Sequence, residues 1–427
     1  MADHWWKEAK IYEVYVDAFA ETFLGMTEHL DYFTRLGVNC LHILPHYPSP
    51  MIDDGYDIVD YRSVRSLLGT LEECVAFIDA AHARGIRVIF DYVLNHTSDQ
   101  HPWFIEARAS KENPKRDFYL WSTTGNEFTA AANAFPDIKA HNWVPNIATD
   151  DLYFATFYPQ QPDLNWDNPE VFEEMVATME FWAAHGVDGF RLDAVSHIVK
   201  REGTSSQGLP ETHQVLKRIR ARFEASYPEV ILLAEAATSI EGSKEYFGTG
   251  DECHMVYNFP LMERMWLSLV DGNRGQLDEA IIESATIPEN CAWATFLRNH
   301  DEMALGMLTP EERHRLIDSF DPKHEFLFNK GEATSMRVAS ALHNDKKKIL
   351  KAIELLYSVP GTPVMYYGDE IGMLNLPVGD LLIDSRRYVR GRFDWSAAEA
   401  QAQDPESLLN QIAHIIQGVG ADRDISD

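Results

Sequence analysis

The chain has 427 residues, of which 45% are hydrophobic and 24% are charged, so it can bury a sizeable core in one large domain with insertions or in two domains. The formal net charge of -30 argues against a nucleic-acid backbone and against an anionic membrane surface as partners. A neutral sugar is compatible with this charge, although the simplest interpretation is that an acidic surface promotes solubility.

Short apolar segments alternate with amphipathic segments along the chain. Thr27 is the predicted start of the first long helix, Thr70 and Glu73 form a capping box for the second, and Asn168 and Pro169 begin a third. The predicted strands are residues 11–16, 40–44, 88–93, 189–194, 230–236, 255–259, 294–299 and 363–367.

Alternating strands and helices predict a parallel sheet, and eight such units predict a closed (β/α)8 TIM barrel, although the pattern alone also permits an open sheet. Two intervals are too long for simple loops. Residues 97–166 are predicted to be a small inserted domain over the cleft, and residues 309–348 a helical insertion. The catalytic barrel would then comprise residues 1–96 and 167–395, followed by a helical remnant at residues 396–427.

Carboxylates stand at the C-terminal ends of several predicted strands. Asp193, Glu235 and Asp301 follow the fourth, fifth and seventh strands, and such positions converge at the catalytic face of a barrel. Glycoside cleavage with retention needs a carboxylate nucleophile and a carboxylic acid about 5–5.5 Å apart. Arg191 shares a strand face with Asp193 and can keep that carboxylate ionised. The sequence therefore predicts a retaining glycosidase site.

Each residue also has a structural interpretation. A single Asp at a strand end is usually a helix cap or a loop ligand, but capping predicts no set of three carboxylates. We expect Asp91 to hold the barrel mouth together through hydrogen bonds. Asn95 can support the inserted domain or a metal, whereas His96 and His300 can be structural or can donate to sugar hydroxyls.

Five segments resemble the conserved regions of the α-amylase family, glycoside hydrolase family 13. They are residues 91–96, 161–165, 189–197, 234–235 and 299–301. By this resemblance Asp193 is the nucleophile, Glu235 is the general acid/base and Asp301 holds two hydroxyls of the distorted sugar. The substrate-binding residues that it implies are Tyr56, Asp57, His96, Arg191, His300 and Arg390.

Other stretches resemble the trehalose synthase branch of that family, namely residues 53–61, 96–104, 201–213, 251–255 and 297–302. The resemblance implies isomerisation of maltose and trehalose through a covalent glucosyl-enzyme, with a small α-glucoside or oligosaccharide as the binding partner. An α-glucosidase that releases glucose is the alternative. A non-catalytic scaffold of the same fold is the third reading, and the presence of all three carboxylates argues against it.

Three features depart from that branch. Residues 17–22 lack the alternating oxygen ligands of a calcium loop, so Asn95 and Asp163 are the remaining calcium candidates, and the mechanism requires no cofactor. Residues 390–395 keep Arg390 and Trp395 of the family's pocket-closing segment but not its centre. Too few residues follow Trp395 for the family's C-terminal β-sandwich, which we expect to be absent or truncated.

The cysteines and the N-terminal segment indicate the cellular compartment in which we expect the protein. Cys40, Cys74, Cys253 and Cys291 form no CxxC pair, which is typical of a reduced, cytoplasmic protein. No basic region precedes an apolar run at the N-terminus and no stretch approaches the length of a membrane span, so we expect neither a signal peptide nor a membrane anchor. Nothing in the sequence indicates the oligomeric state.

Overall fold

Eight parallel strands form a closed barrel in the computed structural model, which describes residues 4–379 and 384–418. The strands are β1 (Ile11–Val14), β2 (Cys40–Ile43), β3 (Arg87–Val93), β4 (Gly189–Asp193), β5 (Ile231–Ala234), β6 (Met255–Tyr257), β7 (Ala292–Phe296) and β8 (Thr362–Tyr366). They run in sequence order around the barrel, and parallel pairing of β1 with β8 closes it. The predicted barrel is confirmed, and an open sheet is excluded.

The barrel strands are apolar runs rather than alternating patterns. Every residue of β1, β2, β4 and β5 is buried. This is expected for a parallel sheet, because the barrel interior covers one face and the surrounding helices cover the other. Each of the eight predicted strands overlaps a strand of the barrel, and the differences lie at the ends.

The α-helices comprise Val16–Phe19, Phe23–Glu28, Leu30–Leu36, Leu71–His82, Pro102–Ala109, Pro169–Ala184, Pro210–Ser226, Ile240–Glu245, Phe259–Asp271, Gly275–Ser284, Pro310–Phe320, Val338–Ala341, Lys346–Ser358, Trp395–Ala402 and Leu408–Gln417. The capping box of Thr70 and Glu73 forms as predicted. The helix predicted to begin at Thr27 is Leu30–Leu36, which follows His29, so the predicted start is wrong. Thr27 lies in the preceding helix, Phe23–Glu28, which begins where the side chain of Thr22 accepts the Gly25 amide. The Thr27 hydroxyl instead donates to the Phe23 carbonyl inside the helix.

The segment between β3 and the next barrel helix contains a small sheet. Its strands are Trp121–Ser122, Asp151–Phe154 and Trp143–Asn146, paired antiparallel in that spatial order. The helix Pro102–Ala109 precedes them, with His101 as its cap. A backbone bridge between His96 and Asp163 ties this segment to the end of β3, and a second bridge, between Tyr119 and Leu164, lies within the segment. The segment therefore sits beside the carboxylate-bearing strand ends.

The segment predicted to be a helical insertion is only partly helical. After the helix Pro310–Phe320, the short strands Leu327–Phe328 and Ala333–Thr334 pair with each other, and the second also pairs with Met303–Ala304. Local periodicity does not reveal this sheet, because two of its strands are separated by a helix and each contains only two residues.

The core is continuous from the barrel to its outer helices. After β8 the chain forms the helices Trp395–Ala402 and Leu408–Gln417, whose buried Ile412 and Ile416 pack on that core. All four cysteines are buried and free. None of the helices in the described residues combines the length and the apolar character needed to cross a bilayer.

Candidate active site

The ends of β3, β4 and β5 bring charged side chains together at one end of the barrel. Asp91 lies on β3, Arg191 and Asp193 lie on β4, and Glu235 directly follows β5. In the sheet register Asp91 is opposite Arg191, and the Glu235 amide donates to the Leu192 carbonyl at 3.1 Å. Adjacent parallel strands thus place the two predicted reacting carboxylates next to each other.

Arg191 is the cation that these carboxylates share. Its Nη1 lies 3.0 Å from Asp91 Oδ1 and 2.6 Å from Asp193 Oδ1, and its Nη2 lies 2.6 Å from Glu235 Oε1. The Arg191 side chain is only 1% exposed. It therefore holds the carboxylates in position, whereas the cavity itself is lined by other residues.

Glu235 is also fixed by the backbone that follows Asp193. The Ala194 amide donates to Glu235 Oε2 at 2.8 Å. Ala194 has a φ of 43°, in the left-handed region that costs a non-glycine residue about 1–3 kcal/mol. This turn aims one backbone N–H at the second carboxylate immediately after the first, so the positions of Asp193 and Glu235 are coupled.

The three carboxylates around Arg191 differ in protonation. Although burial opposes it, Arg191 and His42 lower the pKa of Asp91. Burial raises the pKa of Asp193 well above its usual range, and it also raises the pKa of Glu235, in each case against the effect of Arg191. One guanidinium cannot balance three negative charges, so the Asp193–Glu235 pair favours holding one shared proton. A retaining pair requires one ionised and one protonated carboxyl.

Asp301 is surrounded by two arginines and a histidine. Its Oδ1 lies 2.8 Å from Arg390 Nη2 and 3.2 Å from Arg386 Nη1, and its Oδ2 lies 3.1 Å from His300 Nε2. Burial acts to raise the pKa of Asp301, but His300 and the two arginines outweigh it and lower that pKa to about 2. Asp301 is therefore ionised throughout the neutral range, beside a pair of carboxyls that retain a proton.

Tyr56 and His300 are linked to this group. The Tyr56 hydroxyl donates to Asp91 Oδ2 at 2.8 Å and lies 2.6 Å from His300 Nε2, and the two rings stack at 5.2 Å with an interplanar angle of 8°. Glu13 Oε1 accepts the His300 amide at 2.8 Å and lies 2.9 Å from His300 Nδ1. Tyr56 thus both packs in the core and faces the cavity, and the His300 ring is held from both sides.

A cavity of about 200 Å³ lies above these carboxylates. Of the predicted site residues, Tyr56, His96, Asp193, Glu235 and Asp301 line it. Its other lining residues are Asp53, Ala134, Phe135, Phe157, Ala194, Ser196, His197, Gln207, Ala237, Glu302 and Arg386. The volume is below the roughly 300–1,000 Å³ of pockets for drug-sized ligands, so the cavity suits a small ligand.

Asp57 does not reach this cavity, contrary to the predicted substrate contact. Its carboxylate accepts the Ser49 hydroxyl at 2.8 Å and the amides of Ile52 and Asp53 at 3.0 and 3.2 Å. Asp57 is fully buried. Because its oxygens already accept hydrogen bonds from the preceding turn, Asp57 stabilises that turn instead of binding substrate.

Asp53, and not Asp57, lines the cavity. Its Oδ1 lies 2.7 Å from Arg386 Nη2 and its Oδ2 accepts Gln161 Nε2 at 3.0 Å. Gly55 shapes the turn with a φ of 110°, and a Cβ there would lie 3.0 Å from the Pro45 carbonyl oxygen. A residue other than glycine would be strained here. The turn thereby presents Asp53 to the cavity.

Arg390, like Asp57, is not among the residues that line the cavity. Its Nη1 lies 2.7 Å from Asp54 Oδ2 and its Nη2 lies 2.8 Å from Asp301 Oδ1, while its Nε donates to the His300 carbonyl at 3.0 Å. Arg386, four residues earlier on the same 3-10 turn, lines the cavity and pairs with Asp53. Arg386 thus lines the cavity at the place predicted for Arg390, and Arg390 orients Asp301.

The candidate calcium ligands Asn95 and Asp163 do not fit a metal. Lys200 Nζ donates to Asn95 Oδ1 at 2.9 Å and lies 2.7 Å from Asp163 Oδ2, and all three side chains are buried. Asp163 also accepts the Thr156 amide at 2.9 Å. An ammonium group thus takes the place between two oxygen ligands where a cation would sit. Within the described residues no group of three or more His, Cys, Asp or Glu side chains has a metal-binding arrangement.

Several functional residues were missed by sequence reasoning. The role of the Ala194 backbone amide could not be predicted from residue type, because the side chain takes no part in it. Lys200 follows the fourth strand and is far from Asn95 along the chain, so its contacts with Asn95 and Asp163 could not be predicted from sequence. Arg386 and Arg390 both reach Asp301, and neither residue type nor spacing distinguishes which of the two arginines lines the cavity.

The chain is similar to known proteins over most of its length. The model of the α-amylase catalytic domain matches residues 19–330. The trehalose synthase/amylase of Mycolicibacterium smegmatis is 43% identical over 92% of this chain and 67% of its own length. The oligo-1,6-glucosidase of Heyndrickxia coagulans is 32% identical over 87% of this chain and 67% of its own length. The chain spans about two thirds of the length of these two relatives.

Solved structures show the same architecture. The crystal structure of the isomaltulose synthase of Klebsiella sp. LX3 superimposes with a TM-score of 0.77 at 25% identity. The match covers 98% of this chain and 84% of that chain. Together with the closed barrel and the converging carboxylates, these similarities show that the chain belongs to the α-amylase family, glycoside hydrolase family 13.

Proposed function

We propose that this protein is a glucosyl-transferring isomerase of the trehalose synthase type that interconverts maltose and trehalose. The observation that carries the proposal is the pair Asp193 and Glu235, which share Arg191 and face a small cavity. The similarity to a trehalose synthase/amylase over most of the chain supports this choice of reaction.

Asp193 is proposed as the nucleophile. Its carboxylate attacks the anomeric carbon of the glucosyl unit, and the bond to the leaving oxygen breaks as that oxygen receives the proton of Glu235. A covalent glucosyl-enzyme and a free glucose result. Arg191, whose Nη1 lies 2.6 Å from Asp193 Oδ1, favours the ionised form of Asp193, and the proton that the pair shares is then on Glu235 at the moment of attack.

Glu235 then reverses its role. A hydroxyl of the released glucose attacks the anomeric carbon, its proton moves to Glu235, and the bond to Asp193 breaks. Attack by a different hydroxyl converts one disaccharide into the other, whereas attack by water gives glucose. Asp301, ionised at neutral pH, stabilises the positive charge that develops on the sugar ring in both steps.

The glucosyl ring is proposed to lie among the residues that line the cavity beside Asp301. His96 and the Asp53–Arg386 pair offer hydrogen bonds to its hydroxyl groups, and Tyr56 offers a flat apolar face. The same residues would serve an α-glucosidase, which is the second candidate because an oligo-1,6-glucosidase is 32% identical.

Incubation of the purified protein with maltose distinguishes the two candidates. Products are resolved by chromatography over time, with Asp193→Asn as the inactive control. Trehalose that forms ahead of glucose supports the isomerase. Glucose as the sole product would overturn the isomerase in favour of the α-glucosidase.

A further inference from the structure

Glu13 is a buried carboxylate of the barrel that the proposed reaction does not use. It lies on β1, opposite His42 of β2 in the sheet register, and its side chain is only 1% exposed. The interior layers of such a barrel are usually filled by branched apolar side chains, and a buried carboxylate without partners is strongly destabilising. The partners of Glu13 therefore indicate what it does.

One oxygen of Glu13 holds His300. Glu13 Oε1 accepts the His300 amide at 2.8 Å and lies 2.9 Å from His300 Nδ1. A carboxylate can only accept there, so Glu13 places a proton on Nδ1 and fixes the orientation of the ring. The opposite nitrogen, Nε2, then lies 2.6 Å from the Tyr56 hydroxyl and 3.1 Å from Asp301 Oδ2. Glu13 is thus one residue removed from Asp301.

The other oxygen of Glu13 faces His42. Glu13 Oε2 lies 3.4 Å from His42 Nδ1, and His42 Nε2 lies 3.2 Å from Asp91 Oδ2. Asp91 Oδ1 in turn lies 3.0 Å from Arg191 Nη1, which is also 2.6 Å from Asp193 Oδ1. Glu13 therefore stands between the contacts of Asp301 and those of the nucleophile.

Acidic and basic side chains alternate along this path. We call the set the interior chain, and its members in spatial order are Asp301, His300, Glu13, His42, Asp91, Arg191 and Asp193. Burial acts to raise the pKa of Glu13, but His300 and His42 outweigh it and lower that pKa well below its usual range. Burial acts to lower the pKa of His42, but Asp91 and Glu13 outweigh it and raise that pKa. Neighbouring members of the interior chain thus stabilise each other's charged forms.

Glu13 and His42 do not reach the substrate themselves. Neither is among the residues that line the cavity in the described part of the chain, whereas Asp193 and Asp301 both are. Any effect of Glu13 on the reaction must therefore pass through His300 and Asp91. Preorganised charges of this kind stabilise a transition state because they do not have to move when the new charge develops.

We propose that Glu13 is a positioning residue: supported by His42, it fixes the His300 ring and thereby holds Asp301 in place relative to Asp193 while positive charge develops on the sugar ring. This inference rests on the glucosyl-enzyme of the proposed function. Without the charge of Glu13, the His300 ring loses its strongest acceptor, and Asp301 is held less firmly. The transition state is then less stable, while substrate binding changes little.

α-Glucosyl fluoride measures this effect without a leaving group that needs an acid. Fluoride leaves as Asp193 attacks, so the rate of fluoride release reports a transition state that Asp301 stabilises. A further fluorinated analogue, whose glucosyl-enzyme is long-lived, counts the active sites by mass spectrometry of the intact protein. Expressing kcat per trapped site excludes misfolded molecules, and comparing kcat with KM separates catalysis from binding.

The test variants are Glu13→Gln and His42→Gln. Glu13→Gln keeps the shape of the side chain but removes its charge, and we expect kcat per trapped site to fall about ten- to a hundredfold, the range for loss of a hydrogen bond to a charged group, with KM within about threefold. His42→Gln, one contact further along the interior chain, should lower kcat about three- to tenfold.

Glu370→Gln is the matched control. Glu370 follows β8 and is as buried as Glu13, but its Oε1 accepts the hydroxyls of Tyr12 and Tyr32, each at 2.7 Å. It belongs neither to the interior chain nor to the cavity lining in the described residues. We expect its kcat per trapped site to stay within about twofold of that of the unaltered protein.

A merely structural role for Glu13 would reduce the number of trapped sites and leave kcat per site unchanged. A kcat per site within twofold of the unaltered protein in both Glu13→Gln and His42→Gln overturns the inference. An equal fall in Glu370→Gln also overturns it, because loss of any buried carboxylate would then explain the result. Failure of the unaltered protein to release fluoride would instead overturn the proposed function.

Discussion

Two buried clusters that combine a cation with acidic or amide side chains lie close to the end of β3, and they differ in their charge balance. In the Arg191 cluster one guanidinium serves Asp91, Asp193 and Glu235. In the Lys200 cluster one ammonium serves a single carboxylate, Asp163, and a neutral amide. Because the Arg191 cluster has more carboxylates than cations, the Asp193–Glu235 pair retains a proton that can be transferred. The Lys200 cluster has no net charge.

The pKa shifts reflect this difference. Burial raises the pKa of Asp193 and of Glu235, and Arg191 opposes this rise only in part. Asp163 is buried as well, but Lys200 outweighs burial and lowers its pKa. A buried ion pair with matched charges is a structural element, and a mismatched one is a candidate for acid–base chemistry.

Loss of the nucleophile should have the largest effect. Asp193→Asn keeps the shape of the side chain but removes its charge, and we expect turnover of maltose to fall by at least about 10⁴-fold while the circular dichroism spectrum stays unchanged. Asp278→Asn, an exposed carboxylate on a helix, is the control. Activity within tenfold of the unaltered protein would remove Asp193 from the mechanism.

The effect of removing the acid on the rate should depend on the leaving group of the substrate. Glu235→Gln cannot donate the proton, so turnover of maltose should fall about 10²–10⁴-fold. Release of fluoride from α-glucosyl fluoride should fall less, since fluoride leaves without protonation. Equal losses with both substrates, measured as kcat/KM, would contradict the assignment of Glu235 as the acid.

Substitution of Lys200 should change the stability of the protein and not its catalytic rate. Lys200→Ala leaves the buried carboxylate of Asp163 without a partner, and we expect the free energy of unfolding to fall by about 3–5 kcal/mol in denaturant titrations. The exposed Lys351→Ala serves as the control. Addition of calcium or of a chelator should leave the Tm of the unaltered protein unchanged; a Tm that rises with calcium would show that the cluster does bind the metal.

The smallest effects are expected for Asp53, which lines the cavity, and Asp57, which does not. Asp53→Asn weakens the pair with Arg386 at the cavity and should raise KM for maltose about tenfold, in line with the loss of a charge-assisted hydrogen bond worth ~1.5 kcal/mol. Asp57→Asn should lower the free energy of unfolding by about 1–2 kcal/mol with little change in KM. The reverse pattern would restore Asp57 as the substrate ligand.

Much of the barrel could be predicted from sequence, because strand periodicity and helix caps are local properties. The capping box of Thr70 and Glu73 forms within one turn and depends on nothing distant. The small sheet that contains Phe328 was not predicted, since its strands of two residues pair across a helix. Pairing of that kind leaves no local pattern.

The same division holds for the reaction centre. The sequence by itself determined that Asp193, Glu235 and Asp301 stand at strand ends, because a parallel barrel gathers all such ends on one face. Only the tertiary structure decided that Asp53 rather than Asp57 faces the cavity, that Arg386 rather than Arg390 pairs with it, and that Lys200 fills the space between Asn95 and Asp163. These choices depend on the direction of a side chain in a turn and on contacts between distant segments, and neither is encoded in residue type or spacing.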